Sequence, residues 1–493
     1  MGLSKVFTRA LKGLDAPAVV VEVHVSGGLP TMNLVGLPEA AVREARDRVR
    51  SAIQNSGFEF PASRVTVNLA PADIPKEGGA FDVPIALGIL AATGQLNADA
   101  LDDVEVLGEL ALNGALRPIK GALPVAMAVA KGQRALVLPE ASAADAALVQ
   151  DLSVHYAHHL ADVVAAFNSG KALSRFTQSE PSNELLSQLD MADVKGQQQA
   201  KRALMVAAAG SHNVLMEGPP GSGKSMLAKR LPSILPTLSN ADALEVAAIR
   251  SLSGAPISAD EMHLAPFRSV TSSASQVALL GSKNPGEITL AHAGALFMDE
   301  LVEFPRACLE ALRDPLENGY IDISRAAYKY RYPSRFQLVA AMNPCPCGDP
   351  DNCRDTPDQI ARYRAKLSGP ILDRIDVHLH VPRVKYQELK DSSSGSNSKT
   401  LRGQVVAARE RQLARQGKTN AWLSAAEIEK IANRSEAAET LLENAMTKLG
   451  LTARGYHRLL KVARTIADLD ASEQIAAEHM AEAIGYRQLD RWH

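Results

Sequence analysis

Asn213-Val214-Leu215-Met216-Glu217 runs without interruption into Gly218-Pro219-Pro220-Gly221-Ser222-Gly223-Lys224-Ser225, after which Met226 to Leu231 has helix-forming residues. A short apolar strand, a loop of the form G-x-x-x-x-G-K-S and a helix, in that order, make a phosphate-binding loop. The glycines let backbone N–H groups turn inward around phosphate oxygens, and the helix start adds the positive end of its dipole. Lys224 supplies a charge for the β- and γ-phosphates, and the Ser225 hydroxyl suits Mg²⁺. The expected ligand is ATP with Mg²⁺. The expected setting is an α/β domain with this loop at a strand end.

Working outward, a hydrolase of this type needs a second acidic group near the metal. Ala295-Leu296-Phe297-Met298 reads as a buried strand ending in Asp299-Glu300. Asp299 is placed to hold Mg²⁺ through water, and Glu300 to polarise the attacking water. Another apolar strand, Phe336 to Met342, ends in Asn343, a polar side chain expected at the same sheet edge. Arg374 follows the turn Ser368-Gly369-Pro370, and Arg454 opens an amphipathic helix near the end of the chain. Arginines stabilise charge on a transferring phosphoryl group, and those far along the chain often act from a neighbouring subunit or a lid. A surface ion pair is the other reading of each.

The rest of the composition sets bounds. The chain has 493 residues, a formal charge of −2, 46% apolar and 22% charged residues, which is ordinary for globular domains and leaves any nucleic-acid surface to be local. The longest charge-free apolar stretch, Val83 to Leu96, is interrupted by Pro84, Gly88 and Gly94 and is too short to span a membrane. Of four cysteines, Cys308, Cys345, Cys347 and Cys353, the last three crowd together, which fits reduced thiols or a metal rather than a disulfide framework and points to the cytoplasm. Strand and helix signals alternate over 1–168, and 169–190 reads as a linker. A second α/β block covers 191–384, a Ser/Gly-rich flexible loop 385–399, and a helical domain 400–493.

Ile321 to Tyr332 alternates as a hairpin around Ala326-Ala327. Arg325, Lys329, Arg331 and Arg335 interleave with Tyr328, Tyr330 and Tyr332, in a chain only 4% aromatic. Cations engage phosphates and rings stack on unpaired bases, so the segment suits single-stranded DNA. It equally suits a hairpin with one solvated basic face and one packed tyrosine face.

Taken together these residues resemble the magnesium-chelatase-like AAA+ ATPases, and specifically the bacterial ComM/YifB competence family. Leu34-Val35-Gly36-Leu37-Pro38, Val67-Asn68-Leu69-Ala70-Pro71-Ala72-Asp73, Phe297-Met298-Asp299-Glu300-Leu301, Ala340 to Gly348 and Lys461 to Leu469 look like its signatures, in order along the whole chain. The resemblance implies a homo-hexameric ring that hydrolyses ATP and moves single-stranded or branched DNA, promoting branch migration during natural transformation. It makes Asn343 the sensor-1 residue, Arg374 an arginine finger acting in trans and Arg454 the sensor-2 arginine of a C-terminal helical lid. The alternative is a chelatase-type chaperone ATPase that remodels a protein partner.

The first domain resembles the proteolytic domain of Lon. In Pro75-Lys76-Glu77-Gly78-Gly79-Ala80, however, the serine position is Ala80, and Pro118 to Val125 replaces the lysine-bearing turn with apolar residues. A Ser-Lys dyad needs both members, so this domain is expected to be noncatalytic. Other departures are Val270-Thr271-Ser272 in place of Pro-His-His, the interrupted glycine run Gly281-Ser282-Lys283, and Val302 in place of a proline. Asp355 stands where a fourth cysteine is expected. Structural zinc sites are mostly Cys and His, so Zn²⁺ at Cys345, Cys347, Cys353 and Asp355 is possible but not favoured.

Overall fold

The computed structural model describes residues 2–39, 42, 44–177, 189–255, 257–258, 260–325, 328–349, 352–384 and 397–487. Residues 178–188 of the expected linker, the hairpin turn Ala326-Ala327 and residues 385–396 of the expected loop lie outside the described residues. The chain forms two compact units: Met1–Asn183 together with Ala243–Met262, and Glu184–Asp242 together with His263–His493. No helix among the described residues is long and apolar enough to cross a membrane.

The first unit is built on strands β1 (Gly2–Arg9), β2 (Ala18–Ser26), β3 (Thr31–Val35), β4 (Arg64–Ala70), β5 (Val104–Val106), the short pair β6 (Glu109–Leu110) and β7 (Leu116–Arg117), then β8 (Ala135–Pro139), β9 (Val154–Ala157) and β10 (Ser174–Arg175). Eight of them form one mixed sheet in the order β10-β9-β8-β5-β1-β2-β4-β3. Val19, Val21, Val23 and Val25 of β2 alternate inward, as a strand with one covered face requires. The apolar run noted above becomes the helix Asp82–Ala92, buried from Asp82 through Leu90 because it is apolar on every side. Gly88 lets that helix lie close on the sheet: a Cβ there would stand 2.6 Å from a Val23 methyl. The segment 243–262 joins this unit through Ala247 and Ala248, which pack on Leu123 and Leu148.

The second unit holds β11 (Val214–Glu217), β12 (Phe267–Val270), β13 (Ala295–Met298), the hairpin strands β14 (Tyr320–Arg325) and β15 (Tyr328–Pro333), β16 (Gln337–Met342) and β17 (Val377–His380). Five form a parallel sheet in the order β12-β13-β16-β11-β17. The residues of β11, β13 and β16 are buried throughout, the near-continuous apolar pattern of parallel strands covered on both faces. Because the strands are parallel, the loops leaving β11, β13 and β16 emerge at one edge, and that placement builds the site.

On one face the sheet packs against the helix Gln198–Gly210 and the helices Ser398–Gln416, Ala425–Ile431, Glu436–Leu449, Ala453–Leu469 and Ala477–Gly485. A buried polar network joins sheet and helices. His212 shares hydrogen bonds with Asp376 at 3.1 Å and Thr465 at 2.7 Å. Asp468 accepts from Asn420, Arg415 and Arg464. Arg409 donates to the carbonyls of Ala208 and Ala209, closing the C-terminal end of the helix Gln198–Gly210.

Candidate functional site

Glu217 ends β11 level with Met342 of β16, and the Gly218 N–H donates to the Met342 carbonyl at 3.2 Å. The chain then turns through Gly221 (φ 76°) and Gly223 (φ 95°), left-handed conformations that glycine adopts without strain, before the helix Lys224–Arg230 begins. Lys224 is buried in this loop. Its Nζ donates to the carbonyls of Gly218 at 2.6 Å and Pro219 at 3.0 Å and to Asn343 Oδ1 at 3.3 Å. Burial pulls the Lys224 ammonium below the ordinary lysine range, while Asp299, Glu217 and Glu300 favour the charged form. Six residues from the ends of three adjacent strands thus surround one cation.

Ser225 Oγ donates to Asp299 Oδ2 at 2.6 Å, and the Glu300 N–H donates to Asp299 Oδ1 at 3.0 Å. Glu300 takes the left-handed conformation (φ 53°, ψ 48°) that non-glycine residues seldom adopt. Such backbone strain clusters at functional positions, and here it turns the chain sharply after β13 and leaves Glu300 exposed beside the buried Asp299 strand. The donor set fits Mg²⁺: a hydroxyl and a carboxylate already in contact, both hard oxygen ligands. Ser225 and Asp299 would hold the ion, which when bound neutralises charge on phosphate oxygens. Ser222 Oγ is buried at the cradle without a hydrogen-bond partner among the described residues, as fits a loop shaped around a polar ligand.

The two arginines go elsewhere. Arg374 is buried, its guanidinium donating to the carbonyls of Arg313 at 3.0 Å and Pro370 at 2.7 Å and pairing with Glu317. Arg454 is exposed and pairs with the same Glu317 carboxylate at 3.6 Å. The structure therefore brings Arg374 and Arg454 together at Glu317, while Lys224, Ser225, Asp299 and Asn343 meet at the sheet edge.

The hairpin register sets Asp322 opposite Arg331, Ser324 opposite Lys329 and Ile323 opposite Tyr330. Strand alternation then separates the two residue classes that interleave in sequence. Lys329 and Arg331 share one face with Asp322. Tyr330 and Tyr332 share the other, stacked at 6.2 Å, with Tyr332 buried and its hydroxyl donating to the Lys283 carbonyl at 3.0 Å. Arg331 forms a two-pronged pair with Asp322 at 2.7 and 2.8 Å and lies over the Tyr320 ring. Lys329 is exposed.

Sequence reasoning missed three residues, two at the cradle and one between the arginines. Gln197 Nε2 donates to Pro382 at 2.6 Å and Ser222 at 3.4 Å, tying the loop to the segment after β17. Its signal was slight: Gly196-Gln197 before a helix, both in left-handed conformations. Glu217, buried directly ahead of the loop, faces Arg364 at 3.7 Å. Burial raises its carboxyl pKa, eased by Arg364, His380 and Lys224. Glu317 was visible only as one acid among many.

Comparison with known proteins gives the same picture along the whole length. Residues 190–389 match the family described as magnesium chelatase, subunit ChlI; 21–142 match subunit ChlI of Mg-chelatase, and 395–487 match the ChlI C-terminal family. The chain is 49% identical to the uncharacterized protein YifB of Escherichia coli (strain K12), covering 100% of this chain and 98% of the relative. It is 48% identical to the competence protein ComM of Haemophilus influenzae, again over 100% of this chain and 98% of that one. Salmonella typhimurium YifB, an uncharacterized protein, is similar to the same extent, at 48%. With this similarity and an ATPase-type loop seated at the edge of a parallel sheet, the chain belongs to the ComM/YifB family of magnesium-chelatase-like AAA+ proteins.

Proposed function

We propose that this protein is an ATP-hydrolysing hexameric motor that moves single-stranded or branched DNA, acting as a helicase that promotes branch migration of recombination intermediates. The observation that carries the ATPase half is the contact set at the sheet edge, Lys224 with Asn343 and Ser225 with Asp299. In this reading the backbone of Gly218 to Gly223, with Pro219, Pro220 and Ser222, encloses the phosphates, and Lys224 bonds the β- and γ-oxygens. Glu300 accepts a proton from the attacking water, and Asn343 orients that water.

Arg374 serves a neighbour's site as a finger, and Arg454 closes the nucleotide site as part of a helical lid. Their shared hold on Glu317 supports a coupled pair, since one carboxylate meets both guanidinium groups. The DNA half rests on exposed Lys329 and Arg331, with Arg325 on the same hairpin, and on the competence name of the Haemophilus relative. The first unit, with its eight-stranded sheet, serves as a noncatalytic Lon-like module for assembly or DNA handling in the cytoplasm.

Strand displacement on forked and four-way DNA, with and without ATP, tests the motor. ATP-dependent separation supports it, and none on any substrate contradicts it. The second reading, a chelatase-type ATPase that remodels a protein, is favoured by one observation: Asp322 already neutralises Arg331. DNA-insensitive hydrolysis would select that reading.

A further inference from the structure

Glu217 ends β11 directly ahead of the phosphate loop and is buried, yet its Oε1 accepts no hydrogen bond among the described residues. A buried carboxylate in that position is costly unless a cation compensates it. Burial raises its pKa, while Arg364 first, then His380 and Lys224, favour the charged form. A terminal nitrogen of Arg364 stands 3.7 Å from that oxygen, close enough for attraction and too far for a hydrogen bond. The Arg364 side chain keeps 34% of its surface exposed.

The helix Pro357–Arg364 brings the guanidinium there. Consecutive residues stand about 100° apart around a helix, so Tyr363 and Arg364 leave its last turn in different directions. Tyr363 is buried in the same apolar cluster as Leu301, Val302 and Met342. Its hydroxyl lies beside the Asn343 N–H, and burial, then Glu303 and Glu300, push it up to about 12. Lys366 pairs with Glu303 at 3.3 Å and lies over the Tyr363 ring, 5.6 Å from its centre, which holds the ring in place. Arg364 goes instead to Glu217, which is level with Met342 of β16. One helix turn therefore spans the ends of β11 and β16, on the side of the cradle where Asn343 and Glu300 stand.

Resting on the ATPase reading above, we propose that Arg364 is a further phosphate-binding residue, supplied in cis to the γ-phosphate, and that Glu217 is the positioning residue that aims it. A guanidinium presents five N–H donors in a rigid fork, so one edge stays with a carboxylate while another meets phosphate oxygens. Tyr363, on the same turn, stands at Asn343, so the fork reaches the end of the triphosphate that ADP lacks. The positive charge of Arg364 also offsets the repulsion between Glu217 and the phosphates. Arg374 is placed differently: its donors are taken by Arg313, Pro370 and Glu317.

The test is calorimetric binding of ADP and of a non-hydrolysable ATP analogue, each with Mg²⁺, to the full-length protein. The ratio of the ADP to the analogue dissociation constant should fall about 10-fold or more in Arg364→Ala, through weaker analogue binding with ADP nearly unchanged, as loss of a charged hydrogen bond requires. Arg364→Lys should restore part of the ratio, since it keeps the charge without the fork. Glu217→Gln should lower the ratio severalfold in the parent and leave it unmoved in Arg364→Ala, because it acts through that guanidinium. A parent that binds both nucleotides, with an unchanged ratio in Arg364→Ala, would overturn the phosphate contact and leave the ATPase reading standing. A parent that binds neither would overturn both. Equal effects of Glu217→Gln in the two backgrounds would overturn the positioning role.

Discussion

The phosphate loop and the β14–β15 hairpin are both motif-like stretches of the second unit, yet they keep their chemistry differently. At the loop, the polar groups of three strands converge: Lys224 meets Asn343, and Ser225 meets Asp299. At the hairpin, residues that alternate in sequence part company, with Lys329 and Arg331 on one face and Tyr330 and Tyr332 on the other. The difference teaches that spacing along a chain implies a shared surface only when the backbone curls around a point. A strand of period two sends neighbours to opposite sides.

If the loop is the catalytic centre, damage there should dominate. Lys224→Ala should bring ATP turnover to background, since it removes the buried cation that meets Asn343 in the cradle; measurable turnover would place the chemistry elsewhere. Glu300→Gln should keep nucleotide binding and slow hydrolysis by about 10²–10⁴-fold, because an amide cannot accept the water's proton. Equilibrium binding and single-turnover rates separate the two effects, and lost binding would reassign Glu300 to holding the ligand.

Arg374→Ala should bind ATP and hydrolyse it about 10²–10³-fold more slowly when alone, as loss of one charge-stabilising donor does. Mixed with Lys224→Ala chains it should recover activity at interfaces where an intact loop meets an intact finger. Light scattering confirms assembly; no recovery in any mixture would make Arg374 a residue that only anchors Arg313, Pro370 and Glu317 within its own chain.

On the hairpin the expected effects are smaller. Lys329→Ala with Arg331→Ala should weaken single-strand binding about 10-fold and reduce the salt slope by about 1 to 2. An unchanged slope would mean that this face only meets water.

Smallest is a pH effect on stability. Burial, with the positive charges of Arg487 and Arg458, holds His378 well below its ordinary value of 6.5, although Asp376 favours the charged form. Asp376 is buried too, but the His212 hydrogen bond and Arg458 hold it below the ordinary carboxylate range. In both cases the unfolded chain binds protons that the folded chain refuses. Stability should therefore fall as pH drops below 6.5, by at most about 1.4 kcal/mol per pH unit for one proton, and fall further below pH 4. Urea midpoints at pH 7.5 and 5.5 check the first window; equal midpoints would contradict it.

The same contrast explains what could be read in advance. Gly218 to Ser225 is legible because its function is backbone geometry, and glycine at Gly221 and Gly223 marks that geometry directly. Asp299 and Asn343 are legible because each follows a buried apolar run that must be a strand. Glu317 was hidden because an exposed acid on a short helix has no pattern until Arg374 and Arg454 fold onto it. The cysteine cluster was legible as crowded thiols with Asp355 nearby, whereas the turn at Gly348 and the helix cap at Thr356 that set its geometry were not.

The most direct test is the steady-state ATPase rate of the assembled protein with and without single-stranded DNA, measured in parallel for the parent, Lys224→Ala, and the Lys329→Ala/Arg331→Ala double variant. The account predicts turnover that DNA stimulates in the parent, stimulation weakened in the double variant, and neither turnover nor stimulation in Lys224→Ala. Hydrolysis in the parent that DNA leaves unchanged would contradict it.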